Sequence, residues 1–264
     1  MASSLWTDVE ALQRLARSQR AALRGAGGTA MPESVPQGPF PPVPERPELE
    51  IQARDLTARL ATGDYCDFFF VSGTELALVM ADVSGKGVPA AVLRGVTRSV
   101  LRNLACPDIP PGRTLSRLNR ILSAADLGAM FVTLFFGQYR TDTGLLRYAN
   151  AGHPVPYRIG RGGEVTTLGE VTGPILGVLE SQEYADKQEW LEMGETLVLY
   201  TDGVTEAANP AGEFFGPGRL FRLLAEHALE PPRRLGDLVG ESIRSFQVGR
   251  PQDDATILVL RRNS

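Results

Sequence analysis

Residues 79–89, VMADVSGKGVP, force the backbone to change course within a very short stretch. Apolar residues carry a strand up to Ala81, and Asp82 arrives where that strand is expected to stop. Ser84, Gly85, Lys86 and Gly87 then make a tight turn. The apolar run over 88–104 reads as a helix. A carboxylate at a strand end beside a glycine-rich turn is costly at a core edge. It is well placed to hold a hard cation, because the side chain and freed backbone carbonyls converge there. The pattern recurs: LVLYTDG ends a strand on Asp202, and QDDATILVL begins one after Asp253 and Asp254. GDYCD adds Asp64 and Asp67, and YTDGVTE adds Gly203 and Glu206. A single acidic residue at a turn is ordinarily a cap or an Asx-turn. Several at separate strand–turn junctions favour a binuclear metal site over coincidence.

Composition narrows the choice of metal and partner. The 264 residues include only two His (His153 and His227) and two Cys (Cys66 and Cys106). Neither a disulfide framework nor a thiolate zinc site is indicated, so carboxylates are the natural ligands and the ion is Mg²⁺ or Mn²⁺. A net charge of −4 offers no basic track for nucleic acid. No apolar run reaches the length of a membrane span and the N-terminus has no apolar signal core, so the expected compartment is the cytoplasm. No Ser-His-Asp order, reactive-Cys motif or Walker-type loop competes for the site. Lysine occurs only at Lys86 and Lys187. Lys86 reads equally as an attractor of substrate phosphate and as a residue that merely solvates its loop. His153, in NAGHP, reads first as a turn or core histidine.

Three segments are expected. In 1–25, Leu5, Trp6, Val9, Leu12 and Leu15 recur at helical spacing with Arg14, Arg17, Arg20 and Arg24 outside the stripe. That helix packs on its own domain or, as the sharper alternative, serves a homodimer or a partner. Residues 26–47 are rich in Gly and Pro and form a linker or extended arm. The compact domain covers 48–264. In it, strands at 49–56, 67–72, 75–81, 130–140, 145–151, 155–159, 164–168, 184–190, 196–201 and 255–261 are interrupted by helix pairs at 89–104 with 114–123 and 217–228 with 233–246. Without strict βαβ alternation, this order argues an α+β fold with enough strands for two stacked, mostly antiparallel sheets, each covered by a helix pair.

The ordered set GDYCDFF, ADVSGKGVPAAVL, MFVTLFFGQYRTDTGLLRYANAGHPVPY, LVLYTDGVTEAANPAGEFFG and PQDDATILVLR resembles the metal-dependent Ser/Thr phosphatases of the protein phosphatase 2C superfamily, in their bacterial SpoIIE/RsbU-type branch. The resemblance covers 48–262 and implies an α-β-β-α sandwich with two Mn²⁺ or Mg²⁺ ions at one end of the sheets. By that resemblance Asp82 bridges both metals, the Val83 carbonyl ligates one, and Asp202 and Asp253 complete the first metal's shell. Asp64 would act through water. Asp67, Lys86, His153, Gly203, Glu206 and Asp254 are accessory positions around that set. Two departures stand out: Ser84 occupies a place where wider relatives often carry His, and Thr62 and Cys66 replace the Gly and Tyr of GGDYYD.

The function implied is hydrolysis of phosphoserine or phosphothreonine on a regulatory protein by water, without a phosphoenzyme. The substrate implied is a phosphorylated anti-sigma-factor antagonist in a partner-switching pathway; nucleic acid and membrane are not expected partners. Ser84 and Thr62 support one rival, a catalytically weak module of the same fold that only binds the phosphoprotein. A nucleotide cyclase, suggested by Gly63-Asp64, does not explain YTDG or QDDAT.

Overall fold

The computed structural model describes residues 46–56, 63–85, 87–125, 130–248 and 253–263. The expectations for the N-terminal helix and the Pro-rich arm, and those for Thr62 and Lys86, lie outside the described residues. Among the described residues, ten strands form two five-stranded sheets in which every strand pairing is antiparallel. One sheet has the order β1-β10-β9-β6-β7, from Leu49–Asp55, Thr256–Arg262, Thr196–Tyr200, Tyr157–Ile159 and Val165–Thr167. The other has the order β2-β3-β4-β5-β8, from Tyr65–Phe70, Glu75–Val83, Val132–Arg140, Leu145–Ala151 and Lys187–Trp190.

Alternation along the strands builds three apolar layers. Leu76, Leu78 and Met80 of β3 point between the sheets with Phe68, and there meet Leu197, Leu199, Leu258 and Leu260 of the facing sheet. The intervening Ala77, Val79, Ala81 and Val83 point outward, against Leu93, Val100 and Leu118 of α1 (Val88–Leu104) and α2 (Pro111–Ala124). On the opposite outer face, Val198, Ile257 and Val259 pack on Leu220, Leu235 and Val239 of α4 (Gly216–Glu226) and α5 (Pro232–Gln247). The fold is therefore the α+β sandwich that the segment order implies. Among the described residues no helix is long and apolar enough to cross a membrane.

Each of these four long helices carries Pro in its first two positions, where the missing N–H costs nothing and the fixed φ suits the helix. Hence α2 starts at Pro111, three residues before the expected Thr114. Two further differences bear on the acidic motifs. β3 runs through Asp82 to Val83, because the ladder to β4 continues with Asp82 opposite Thr133 and Val83 opposite Val132. After β9 the chain turns at once into a short helix, α3 (Asp202–Thr205), which strand periodicity could not reveal.

An ion-pair cluster ties α1 to β2. Asp67 is 1% exposed and accepts from Arg98 (Nε 3.0 Å, Nη2 3.4 Å) and from Arg102 (Nε 2.6 Å, Nη2 2.7 Å). Burial raises the Asp67 pKa, but the hydrogen bonds and charges of Arg102 and Arg98 outweigh it and hold the carboxyl below its ordinary value. The Arg102 guanidinium also lies 4.5 Å from the ring centre of Phe69. Replacing Asp67 by Ala leaves arginine side chains that are 37% and 40% exposed and can rehydrate. The expected loss is therefore about 2–3 kcal/mol, the low end for a broken buried pair, read from urea unfolding. A change below about 0.5 kcal/mol would mark the cluster as no stronger than a solvated surface pair.

Candidate metal centre

The strand registers bring the acidic motifs to one end of the sandwich. Tyr65 pairs with Ala81, so the preceding Asp64 falls opposite Asp82 on the neighbouring strand. Both share the parity of Phe68 and Met80 and so face the gap between the sheets. In the facing sheet Tyr200 pairs with Ile257, and the Thr201 N–H donates to the Thr256 carbonyl at 3.0 Å. Asp202 therefore emerges at the top of β9 while Asp253 and Asp254 lead into β10 beside it.

Close backbone approach fixes the glycines in two of the motifs. A Cβ at Gly63 would overlap the carbonyl oxygen of Val83, and one at Gly203 would overlap that of Asp254. The Gly63 N–H reaches across to Asp254 Oδ2 at 3.2 Å. The Asp202 carbonyl accepts from the Glu206 N–H at 2.7 Å and the Thr205 hydroxyl at 3.0 Å, which winds α3 and returns Glu206 toward the carboxylates.

Electrostatics show how closely these groups sit. Burial above all, then the charge of Asp82, pushes the Asp64 pKa well above the usual carboxylate value. Asp82 is pushed up to about 6, chiefly by burial and further by the charges of Asp202, Asp253 and Asp254, while its hydrogen bond with Asp64 acts the other way. Asp202 rises through burial and the charge of Asp253. Glu206 rises through burial and the charges of Asp202 and Asp253. Like charges confined together raise one another's proton affinity unless a cation intervenes. Among the described residues no three His, Cys, Asp or Glu side chains are drawn tightly enough to grip an ion as they stand. The carboxylates form instead two neighbouring groups, Asp64 with Asp82 and Asp202 with Asp253. The donor set is all oxygen and accumulates negative charge in a partly buried place, which fits hard divalent cations.

Other motif residues have different surroundings. Asp67 has the opposite parity to Asp64 and turns to the helix layer and its two arginines, away from the acidic end. The Ser84 hydroxyl accepts from the Phe131 N–H at 2.7 Å, and the Ser84 N–H donates to the Phe131 carbonyl at 3.0 Å. That hydroxyl is spent on pinning the turn to the start of β4.

His153 is a buried structural link. Its N–H donates to Asn150 Oδ1 at 2.8 Å, and its carbonyl accepts from Asn150 Nδ2 at 3.0 Å. Its Nδ1 lies 2.9 Å from the hydroxyl of Thr133, the residue paired with Asp82. Burial lowers its pKa to about 3 against the opposing pull of the Tyr200 backbone, so the ring spans from β4 toward β9 in neutral form.

Residues that the sequence did not single out individually complete the site. The Thr201 hydroxyl donates to Asp64 Oδ2 at 2.5 Å and accepts from the Thr256 N–H at 2.9 Å, joining both sheets at the acidic end. Arg94 Nη1 donates to the Asp64 carbonyl at 3.4 Å. Thr201 precedes Asp202 directly, yet a threonine at a strand end carries no distinguishing pattern. Arg94 is one of many arginines.

Residues 72–263 match the family described as Stage II sporulation protein E (SpoIIE). The chain belongs to that family. Among its relatives, phosphoserine phosphatase RsbU of Bacillus subtilis (strain 168) is 31% identical over 221 residues, which span 83% of this chain and 65% of RsbU. Protein IcfG of Synechocystis sp. (strain PCC 6803) is 31% identical over 248 residues, 84% of this chain and 39% of IcfG. This SpoIIE-family chain thus spans less than two thirds of either relative. The solved RsbU and RsbW domains of Rv1364c from Mycobacterium tuberculosis superpose with a TM-score of 0.71 at 25% identity, covering 81% of this chain and 60% of that one. The SiaA-PP2C domain of Pseudomonas aeruginosa shares the fold with a TM-score of 0.70 at 21% identity, covering 99% of both chains.

The neutral His153 has a pH signature. In the unfolded chain it takes up a proton near pH 6.5, whereas the folded ring stays neutral down to about 3. Its contribution is complete above pH 6.5 and declines by about 1.4 kcal/mol per pH unit as pH falls below that value. His153→Gln is therefore expected to flatten the pH dependence of stability between pH 5 and 6.5 by about 1 kcal/mol per unit, measured by urea unfolding at several pH values. An unchanged slope would place His153 in contact with water.

Proposed function

We propose that the chain is a metal-dependent protein Ser/Thr phosphatase, with 48–264 as the catalytic unit. The observation that carries this reading is the position of Asp82: hydrogen-bonded to Asp64 on one side, it feels the charges of Asp202, Asp253 and Asp254 on the other. A carboxylate between two acidic groups is suited to bridging two ions. Asp82 and the Val83 carbonyl, with Asp202 and Asp253, would hold them, and Asp64, Asp254 and Glu206 would orient the water around them. Two divalent ions there, Mn²⁺ or Mg²⁺, would supply Lewis acidity that makes water nucleophilic at neutral pH and offsets charge on the phosphoryl oxygens.

The chain's own contributions are positional. Thr201 fixes the direction of the Asp64 carboxylate, and the Gly63 and Gly203 turns let backbone and carboxylates approach closely. The Ser84 oxygen accepts from the Phe131 N–H, which holds the turn after β3 in place. The naming of RsbU as a phosphoserine phosphatase supports a phosphoserine substrate; phosphothreonine, and a phosphorylated anti-sigma-factor antagonist of a partner-switching pathway as the protein that carries it, follow from the resemblance of the motifs.

Incubation with a phosphorylated antagonist and with p-nitrophenyl phosphate tests this reading. Phosphate release is expected with Mn²⁺ or Mg²⁺, none after chelation, and a loss of more than about a hundredfold in Asp82→Asn, since replacing even a residue that only supports a metal ligand costs up to that much. Binding of the phosphoprotein without release of phosphate would establish the binding-module rival instead.

A further inference from the structure

Two turns at the acidic end, one on each sheet's side, present apolar side chains to solvent. In the first, Val178 and Leu179 are 56% and 54% exposed. The chain reaches them from Leu176, whose backbone exchanges hydrogen bonds of 2.8 and 3.1 Å with Val132 at the start of β4. Val132 in turn pairs with Val83, the residue after Asp82, so Leu176 stands two strand spacings, about 10 Å, from Val83. In the second turn, Phe214 is 60% exposed. It bridges Ala208, and the Phe215 N–H donates to the Ala207 carbonyl at 2.8 Å, which anchors this hairpin directly after Glu206.

An asparagine fixes each turn. Asn119 of α2 is fully buried. Its Nδ2 donates to the carbonyls of Leu179 at 2.6 Å and Glu180 at 3.4 Å, and its Oδ1 accepts from the Gly177 N–H at 2.8 Å. In the hairpin, Asn209 Oδ1 accepts from the N–H of Ala211 at 3.0 Å and of Glu213 at 2.9 Å. Exposed apolar residues scattered singly need no explanation. These differ, because polar side chains are spent on holding them outward at the margin of one site. Preformed turns lose little freedom on binding, as a contact surface requires.

The proposed substrate is a protein, and a standard interface takes about 800 Å² from each partner, far more than a phosphoserine side chain offers. The exposed parts of the three apolar side chains supply on the order of 100 Å², too little to hold a stable dimer. A second copy seated there would also meet the exposed Glu180 and Glu213, one on each turn, with like charges. We propose that these two turns dock the folded protein that carries the phosphoserine, through apolar side chains on either side of the modified residue. The inference rests on the phosphatase reading and deepens it: the substrate is selected by its folded surface as well as by its phosphate.

Steady-state kinetics with Mn²⁺ test it on three substrates: a phosphorylated antagonist protein, the phosphopeptide cut from it, and p-nitrophenyl phosphate. Leu179→Ser and Phe214→Ser are each expected to lower kcat/KM for the folded phosphoprotein about tenfold, chiefly through KM, the worth of burying the exposed half of such a side chain. The double variant should lose about a hundredfold, since the two turns are separate. Turnover of the phosphopeptide and of p-nitrophenyl phosphate should stay within about twofold of wild type, with the melting temperature unchanged. A phosphoprotein kcat/KM within about threefold of wild type in the double variant, or an equal loss on p-nitrophenyl phosphate, overturns the inference. A wild-type dimer in sedimentation that the double variant abolishes assigns the turns to a second copy and also overturns it. If wild type hydrolyses none of the three substrates, the phosphatase reading falls and this inference with it. If wild type is active on the phosphoprotein and the variants match it, only the docking role falls.

Discussion

At the acidic end a hydroxyl group ties one sheet to the other, alongside the Gly63 N–H that donates to Asp254. Thr201 ends β9, accepts a hydrogen bond from the backbone of Thr256 in its own sheet, and donates to Asp64 in the other. Around it stand Asp82, Asp202, Asp253 and Asp254, whose like charges act on one another. Elsewhere the sheets adhere through Leu, Phe and Met side chains, and burial of that apolar surface is the dominant favourable term in folding. At the acidic end that term gives way to electrostatic repulsion, and a directed hydrogen bond takes its place.

The cost of the arrangement follows from its use. Carboxylates gathered as the proposed metal centre requires are not placed for stability, and burial of Asp64 and Asp82 favours their protonated forms until a cation offsets their charge. Hydrogen bonds and ion pairs fix the segments around it. Asn150 locks the turn carrying His153, Ser84 locks the turn after β3, and Asp67 locks α1 through two arginines. These contacts flank the acidic end without belonging to it.

Much of this was legible in the chain. Near-continuous apolar runs within 75–81 and 196–201 disclosed strands, which prove buried on both faces, and the grouping of strands and helix pairs disclosed the four-layer order. The acidic residues at strand ends pointed to a common site because each stood where regular pairing stops. What escaped detection depended on register and parity between distant strands. Asp64 and Asp67 look equivalent in GDYCD, yet three residues along a strand reverse the face, so one meets Asp82 and the other meets Arg98 and Arg102. Ser84 stood out as a departure at a place where wider relatives often carry His, and only the path of Phe131 shows its oxygen accepting from a backbone N–H. Thr201 and Thr133 sit inside quoted motifs and Arg94 just beyond one, yet nothing marked them individually, because their roles arise from neighbours that are 137, 20 and 30 positions away in sequence.

The most direct measurement is anomalous diffraction from crystals of the whole chain grown with Mn²⁺. Two manganese peaks about 4 Å apart are expected, with a carboxylate oxygen of Asp82 bonded to both and with Asp202 and Asp253 completing one of the shells. Manganese bound elsewhere, or an Asp82 carboxylate bonded to no ion in a fully occupied crystal, would contradict a bridged pair of cations between the sheets.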